Sequence, residues 1–112
     1  TKIIGILGGT GNEGPGLARR WARSGQYQVI IGSRQTEKAE RIASKLNKQL
    51  GQNLITGLAN SEAAQAAEIC VLTVPYSAQG PTLAALRELL QGKILVDVTV
   101  PAGAIRDVLE RL

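Results

Sequence analysis

Three glycines near the start of the chain have a spacing that suits phosphate binding. Gly9, Gly11 and Gly14 fit the pattern G-x-G-x-x-G and directly follow an apolar run, residues 3–7. In this pattern the first glycine lets the chain turn sharply, the second leaves room for a pyrophosphate, and the third lets a helix pack closely on a strand. The first N–H groups of that helix then point at the phosphates. The spacing predicts a dinucleotide site, with an ordinary glycine-rich surface turn as the alternative.

A second polar group follows the next apolar run. NAD sites usually place an Asp or Glu about 20 residues beyond the glycines, where it binds the ribose hydroxyls. This chain has Ser33 and Arg34 there, followed by Lys38, and its first carboxylate in the region is Glu37. A hydroxyl, a guanidinium and an ammonium group suit a 2′-phosphate better than a free diol. The pattern favours NADP over NAD, the alternative being that Arg34 and Lys38 are solvated surface charges.

Several other chemistries are excluded by residue type. Pro15 and Gly16 stand where the P-loop of nucleoside triphosphatases needs Lys and Ser or Thr. The chain has no histidine and a single cysteine, Cys70, so we expect neither His-based acid–base catalysis nor a metal site. Cys70 lies in an apolar run, which predicts a packed thiol rather than a reactive one. No catalytic side chain is predicted.

Composition and charge narrow the class of protein. The 112 residues predict one domain, residues 1–112, and no apolar run is long enough to cross a membrane. Together with the lack of a signal-peptide pattern, this predicts a cytoplasmic protein without a membrane partner. Residues 1–56 carry nine Lys and Arg against three acids, which suits a polyanionic dinucleotide. Nucleic acid is not expected as a partner, because two Tyr, one Trp and no Phe offer little base-stacking surface.

The periodicity of apolar residues predicts alternating strands and helices. The first half holds four predicted elements after the initial strand: a helix over 12–24 that ends at Gly25, a strand over 28–32, a helix capped by Thr36 that ends at Gly51, and a strand over 54–58. In the second half, Asn60 or Ser61 caps a short helix, and a central strand over 69–74 ends at Pro75. After Tyr76, a helix runs to a stop at Gly92, with Pro81 in its first turn. A strand over 94–98 and a helix over 102–112 complete the pattern.

Five strands alternating with helices predict an α/β fold, a doubly wound (Rossmann) parallel sheet in the order 3-2-1-4-5. Ligands of such sheets bind beyond the carboxyl ends of the strands. Val74, Pro75, Val100 and Pro101 should therefore face the same crevice as the glycine turn. The alternative is that the two prolines only end their strands.

The chain resembles a known family over residues 2–101. The segments GGTGNEGPGLARRWARSG, VIIGSR, LTVPY and KILVDVTVP are similar to those of the NADPH-dependent F420 reductases, also called F420:NADP oxidoreductases. Similar segments occur in the oxidoreductase domains of the STEAP metalloreductases. The resemblance implies hydride transfer between NADP and the deazaflavin coenzyme F420. Ring-to-ring hydride transfer needs distance and orientation more than an acid or base, so the lack of histidine agrees with it.

The resemblance also implies roles for individual residues. Thr10, Gly11, Asn12 and Glu13 would contact the pyrophosphate, and Ser33, Arg34 and Lys38 the 2′-phosphate. Val74 and Pro75 would lie near the nicotinamide and its ribose, and Val100 and Pro101 near the deazaflavin ring.

Family members extend well beyond Leu112, so we expect a fragment or a minimal form, and two alternatives to the F420-dependent reductase stay open. They are a non-catalytic NADP-binding module and a flavin-linked NADPH reductase. The apolar face predicted for the helix over 102–112 suggests a homodimer.

Overall fold

The computed structural model describes residues 2–11 and 13–98. These residues form nine elements: β1 (Lys2–Leu7), α1 (Gly14–Arg23), β2 (Tyr27–Ser33), α2 (Thr36–Leu50), β3 (Ile55–Ala59), α3 (Asn60–Ala66), β4 (Ile69–Leu72), α4 (Tyr76–Leu86) and β5 (Ile94–Asp97). None of the helices in these two ranges is long and apolar enough to cross a membrane.

The strands form one parallel sheet in the order β3-β2-β1-β4-β5. This confirms the predicted fold class and strand order. The central strand β1 pairs with β2 on one side and with β4 on the other, so that Ile6 lies between Ile31 and Val71. Because every pair is parallel, the carboxyl ends of all five strands lie at the same edge of the sheet.

Among the described residues, two helices cover each face of the sheet. On one face, Ile6, Val29 and Ile31 pack with the alanines of α1 and α2. On the other, Leu7, Cys70 and Leu72 pack with the alanines of α3 and with Leu86 of α4. Side chains alternate between the two faces of a strand, so the near-continuous apolar sequences of β1 and β4 supply both cores.

Several predicted boundaries were wrong. Strand β4 ends at Leu72, two residues before Val74, and α4 ends at Leu86 rather than at Gly92. Pro81 lies inside α4 rather than in its first turn. Beyond Leu86 the chain continues through turns, and Gly92 ends them with a φ of +75°.

The helix stops predicted at Gly25 and Gly51 were right, and the predicted helix caps were wrong. Gly25 and Gly51 take left-handed conformations with φ of +75° and +72°. The N-cap positions of α2 and α3 are Gln35 and Ala59, and neither helix has a side-chain cap bond. Thr36 is instead the first residue of α2, and Asn60 the first residue of α3.

Candidate functional site

The residues singled out in the sequence converge on the carboxyl edge of the sheet. The glycine turn follows β1, Ser33 ends β2 with Arg34 next to it, and Val74 and Pro75 follow β4. Parallel pairing brings these three strand ends side by side in the order β2, β1, β4. Asn12, Val100 and Pro101 lie outside the described residues, as does the helix predicted over 102–112.

The sharp turn after β1 is made by Gly8 rather than by Gly9. Gly8 has a φ of +72°, a conformation that side chains rarely adopt, while Gly9 has no positive φ. Gly9 is needed for a different reason, since a Cβ on it would lie 2.8 Å from the carbonyl oxygen of Ile6. The Gly9 N–H also donates to the carbonyl of Gly32 at 2.8 Å, which ties the turn to the end of β2.

The other two glycines of the pattern differ in their surroundings. A Cβ on Gly14 would lie 2.3 Å from the carbonyl oxygen of Gly9, so α1 starts in direct contact with the turn. This is the close helix approach expected of the third glycine. A Cβ on Gly11 would have one neighbour within 4 Å, the Gly8 carbonyl oxygen at 3.7 Å. No other described residue fills the space where a side chain on Gly11 would lie.

Some N–H groups of the turn donate hydrogen bonds within the protein, and others do not. Gly8, Gly9 and Gly11 donate to Asn60, Gly32 and Gly8 respectively. The N–H groups of Thr10, Glu13 and Gly14 have no acceptor among the described residues. Donors of this kind, at the start of a helix, form an anion-binding arrangement.

Two side chains that the sequence did not single out hold the turn in place. The side-chain oxygen of Asn60 accepts the Gly8 N–H at 3.0 Å. The hydroxyl of Thr73 lies 3.0 Å from the carbonyl oxygen of Leu7 and 3.1 Å from that of Gly8. Asn60 was predicted only as a possible helix cap, and Thr73 only as part of a strand. Their position directly after β3 and β4, at the carboxyl edge, was the available signal.

The end of β2 presents two cations and one buried hydroxyl. Ser33 is only 5% exposed, and its hydroxyl accepts the N–H of Gln35 at 3.1 Å. Arg34 and Lys38 are exposed on either side of the start of α2. Glu37, in the first turn of α2, is exposed between them.

Val74 and Pro75 lie next to the glycine turn. A Cβ on Gly8 would lie 2.4 Å from a methyl carbon of Val74, so the two segments are packed together. Pro75 is exposed and is the N-cap of α4, where its carbonyl accepts the N–H of Ala78 at 2.8 Å. Pro75 therefore begins a helix at the site, whereas β4 already ends at Leu72.

Other parts of the described chain are weaker candidates for a functional site. A groove of about 740 Å³ runs along α2 and β3, but it shares no residue with the carboxyl-edge set. Among residues 2–11 and 13–98 no cluster of His, Cys, Asp or Glu could hold a metal ion. Cys70 is fully buried, and burial raises the pKa of its thiol while Lys93 opposes that shift. The prediction of a packed cysteine is confirmed.

The parallel sheet order and the glycine turn together define a Rossmann-type domain. Residues 3–101 match the family described as "NADP oxidoreductase coenzyme F420-dependent". The chain therefore belongs to that family, as its sequence segments predicted.

Similar proteins agree with this assignment. The F420-dependent NADP reductase of Methanothermobacter thermautotrophicus is 48% identical over 100 residues, which are 88% of this chain and 43% of that protein. The enzyme of the same name from Methanocaldococcus jannaschii is 45% identical over 114 residues, covering 97% of this chain and 50% of its own length. This chain thus spans about half the length of the curated relatives that it matches.

Solved structures show the same fold. A putative F420-dependent NADP reductase from Arthrobacter sp. FB24 superposes with a TM-score of 0.69 at 28% identity, covering 89% of this chain and 46% of that one. A lactate dehydrogenase from Eimeria maxima superposes with a TM-score of 0.64 at 13% identity, over 89% of this chain and 36% of its own. The second likeness concerns the fold alone.

Proposed function

We propose that this chain is the NADP-binding domain of an oxidoreductase that transfers hydride between NADP and coenzyme F420. The observation that carries the proposal is the family match over residues 3–101, which includes the whole glycine turn. Because the chain spans about half the length of its curated relatives, we assign cofactor binding to this domain. We propose hydride transfer for a protein that combines this domain with all the residues of a deazaflavin site.

The described part of the turn fits a pyrophosphate. The free N–H groups of Thr10, Glu13 and Gly14 supply donors, and the absence of a side chain at Gly11 leaves space for the phosphates. Glu13 contacts the pyrophosphate through its backbone, since its carboxylate would repel a phosphate. We also keep Gly9 and Asn12 in the proposed set, Gly9 for the tight turn and Asn12 from the family resemblance.

Ser33, Arg34 and Lys38 are proposed to hold the 2′-phosphate of NADP. The two cations are exposed and positioned by the start of α2, whose dipole adds a positive field. The hydroxyl of Ser33 already accepts a backbone N–H, which leaves its hydrogen to donate to a phosphate oxygen. Glu37 works against this field, so the selectivity depends on the two cations together.

Val74 and Pro75 are proposed to orient the nicotinamide and its ribose, with Val100 and Pro101 at the deazaflavin ring. NADP, when bound, supplies the hydride acceptor or donor. The protein then has to hold two rings in contact and exclude water, which apolar side chains do without an acid or base.

Isothermal calorimetry with NADP and NAD tests the cofactor assignment. We expect NADP to bind more tightly than NAD, and Arg34→Ala to remove about 1.5 to 3 kcal/mol of NADP affinity with little effect on NAD, because a charge-assisted contact is lost. Arg41→Ala is the matched control, since it removes the same charge from an exposed position of α2. Equal loss in both variants would show only a general charge effect, and no binding of either dinucleotide would refute the proposal.

The second candidate that the sequence leaves open is a non-catalytic NADP-binding module. Mixing the protein with NADP and reduced F420 and following deazaflavin absorbance separates the two. Turnover supports the oxidoreductase. NADP binding without turnover supports the module.

Four broader assignments are also proposed. Residues 1–112 form one domain, because a single sheet is shared by both cores of the described residues. The protein works in the cytoplasm, whose reducing environment keeps a thiol such as that of Cys70 unoxidised. It forms a homodimer, because the edge strand β5 exposes the apolar side chains of Ile94, Leu95 and Val96. Its partners are the two coenzymes rather than nucleic acid or membrane.

A further inference from the structure

Asn60 makes a contact that its position in the sequence does not require. It is the first residue of α3, and asparagine near a helix start usually accepts a backbone N–H of its own helix. Here α3 has no side-chain cap bond. The Asn60 side-chain oxygen instead accepts the N–H of Gly8, 52 residues away, at 3.0 Å.

The fold makes room for this contact at Gly32 of β2. A Cβ on Gly32 would lie 2.7 Å from the Asn60 side-chain oxygen and 3.3 Å from its Cα. Any larger residue at this position would push the Asn60 side chain away from the turn. The glycine before Ser33 is therefore tied to the Asn60 contact, as well as to the bond from the Gly9 N–H.

Gly8 is held on both sides. Its N–H is bound by Asn60, and its carbonyl oxygen lies 3.1 Å from the hydroxyl of Thr73. Gly8 is also the residue with the left-handed conformation that turns the chain out of β1. Fixing both of its polar groups fixes the direction in which Thr10 and Gly11 leave the strand.

We propose that Asn60 is a positioning residue of the dinucleotide site, which holds Gly8 so that the free N–H groups of the turn meet the pyrophosphate. The inference rests on the proposed function. Because the Asn60 oxygen faces the Gly8 N–H, its NH2 group faces elsewhere, and it has no acceptor among the described residues. That group keeps contact with solvent, since no buried side-chain nitrogen or oxygen in the described chain lacks a partner. The contact at Gly8 is thus made by a neutral group, which does not repel phosphate.

Two measurements on Asn60→Ala test the proposal. In hydrogen exchange followed by NMR, the Gly8 amide should exchange faster than in the unsubstituted protein, with no ligand present. In calorimetry, NADP affinity should fall about fivefold to tenfold, the equivalent of one hydrogen bond. The preference for NADP over NAD should stay the same, because the 2′-phosphate contacts are unchanged.

Asn60→Asp keeps an acceptor for the Gly8 N–H and adds a negative charge beside the turn. Its carboxylate can still accept the Gly8 N–H, so the urea midpoint should stay near that of the unsubstituted protein, while the added negative charge should weaken NADP binding at least as much as Asn60→Ala does. Asn53→Asp adds the same charge at an exposed position before β3 and should leave affinity unchanged.

The outcomes are distinct. If the unsubstituted chain does not bind NADP, both the proposed function and this proposal fail. If it binds, but Asn60→Ala binds equally well or leaves Gly8 exchange unchanged, only the positioning role is overturned. Loss of stability in Asn60→Ala with unchanged affinity of the folded protein would also overturn it.

Discussion

At the scale of single residues, the glycines of this chain serve different physical needs. Gly8 supplies a left-handed conformation, Gly11 supplies open space, and Gly14 supplies a close approach between α1 and the turn. A glycine count would treat them alike. The distance from each missing Cβ to its neighbours tells them apart.

We predict that Gly14→Ala destabilises the fold by about 1 to 3 kcal/mol, the usual range for forcing extra atoms into a packed site. Its Cβ would lie 2.3 Å from the carbonyl oxygen of Gly9 and 2.5 Å from the Gly9 Cα, so α1 must move away from the turn. Urea denaturation measures the change.

Gly16→Ala is the control for this substitution. It lies two residues further along the same helix, and a Cβ there meets nothing within 4 Å. Replacing a helical glycine with alanine should stabilise the protein by about 0.5 to 1 kcal/mol. If Gly14→Ala stabilised the protein as Gly16→Ala does, the close contact at Gly14 would not contribute to the free energy of unfolding.

At the scale of elements, the packing of α2 on β3 places the end of β2 and its cations. Two features hold α2 against β3. A Cβ on Gly57 would lie 2.4 Å from the backbone of Ala39, so the helix lies almost directly on the strand. In the described sheet, β3 is an edge strand.

The second feature is the side chain of Asn47. It donates to the carbonyl of Ile55 at 2.8 Å and accepts the N–H groups of Leu54 and Ile55 at 3.0 and 2.9 Å. We predict that Asn47→Ala lowers the free energy of unfolding by about 2 to 3 kcal/mol, because partly buried backbone groups lose their partners. Urea denaturation should show this loss. Asn53→Ala, at an exposed position nearby, should change stability by less than about 0.5 kcal/mol. Similar effects in both would mean that the three bonds add nothing.

At the scale of the whole molecule, the sheet formed by the described residues has two unequal edges. The β3 edge is packed against α2, while β5 exposes Ile94, Leu95 and Val96, with Ile94 58% exposed. An exposed apolar strand at a sheet edge favours pairing with another chain. The exposed edge of β5 is therefore the surface through which we expect the homodimer to form. This expectation does not depend on the helix predicted over 102–112.

We predict that Ile94→Lys shifts the protein from dimer to monomer, because a charge on an edge strand opposes pairing. Sedimentation velocity over a range of concentrations measures the shift. Thr56→Lys places the same charge at an exposed position of the opposite edge strand and should leave the dimer intact. A monomer at every concentration in the unsubstituted protein would rule out the dimer.

Much of this fold could be predicted from sequence because its signals are local. Apolar runs, helical periodicity and the glycine stops at Gly25 and Gly51 are read within a few residues, and parallel strands with helical crossovers permit few sheet orders. The glycine turn and the Ser33–Arg34 pair were found in the same way. The family followed from short segments whose residue types are specific.

Tertiary structure alone decided how the turn is held. Asn60 and Thr73 reach Gly8 across 52 and 65 residues of sequence, and no local pattern records such a contact. The same holds for the left-handed residue, which is Gly8 rather than Gly9 because Gly9 is fixed by Ile6 and Gly32. The sequence determined where the glycine turn lies. Which atoms hold it in shape depends on which strand ends the sheet brings together.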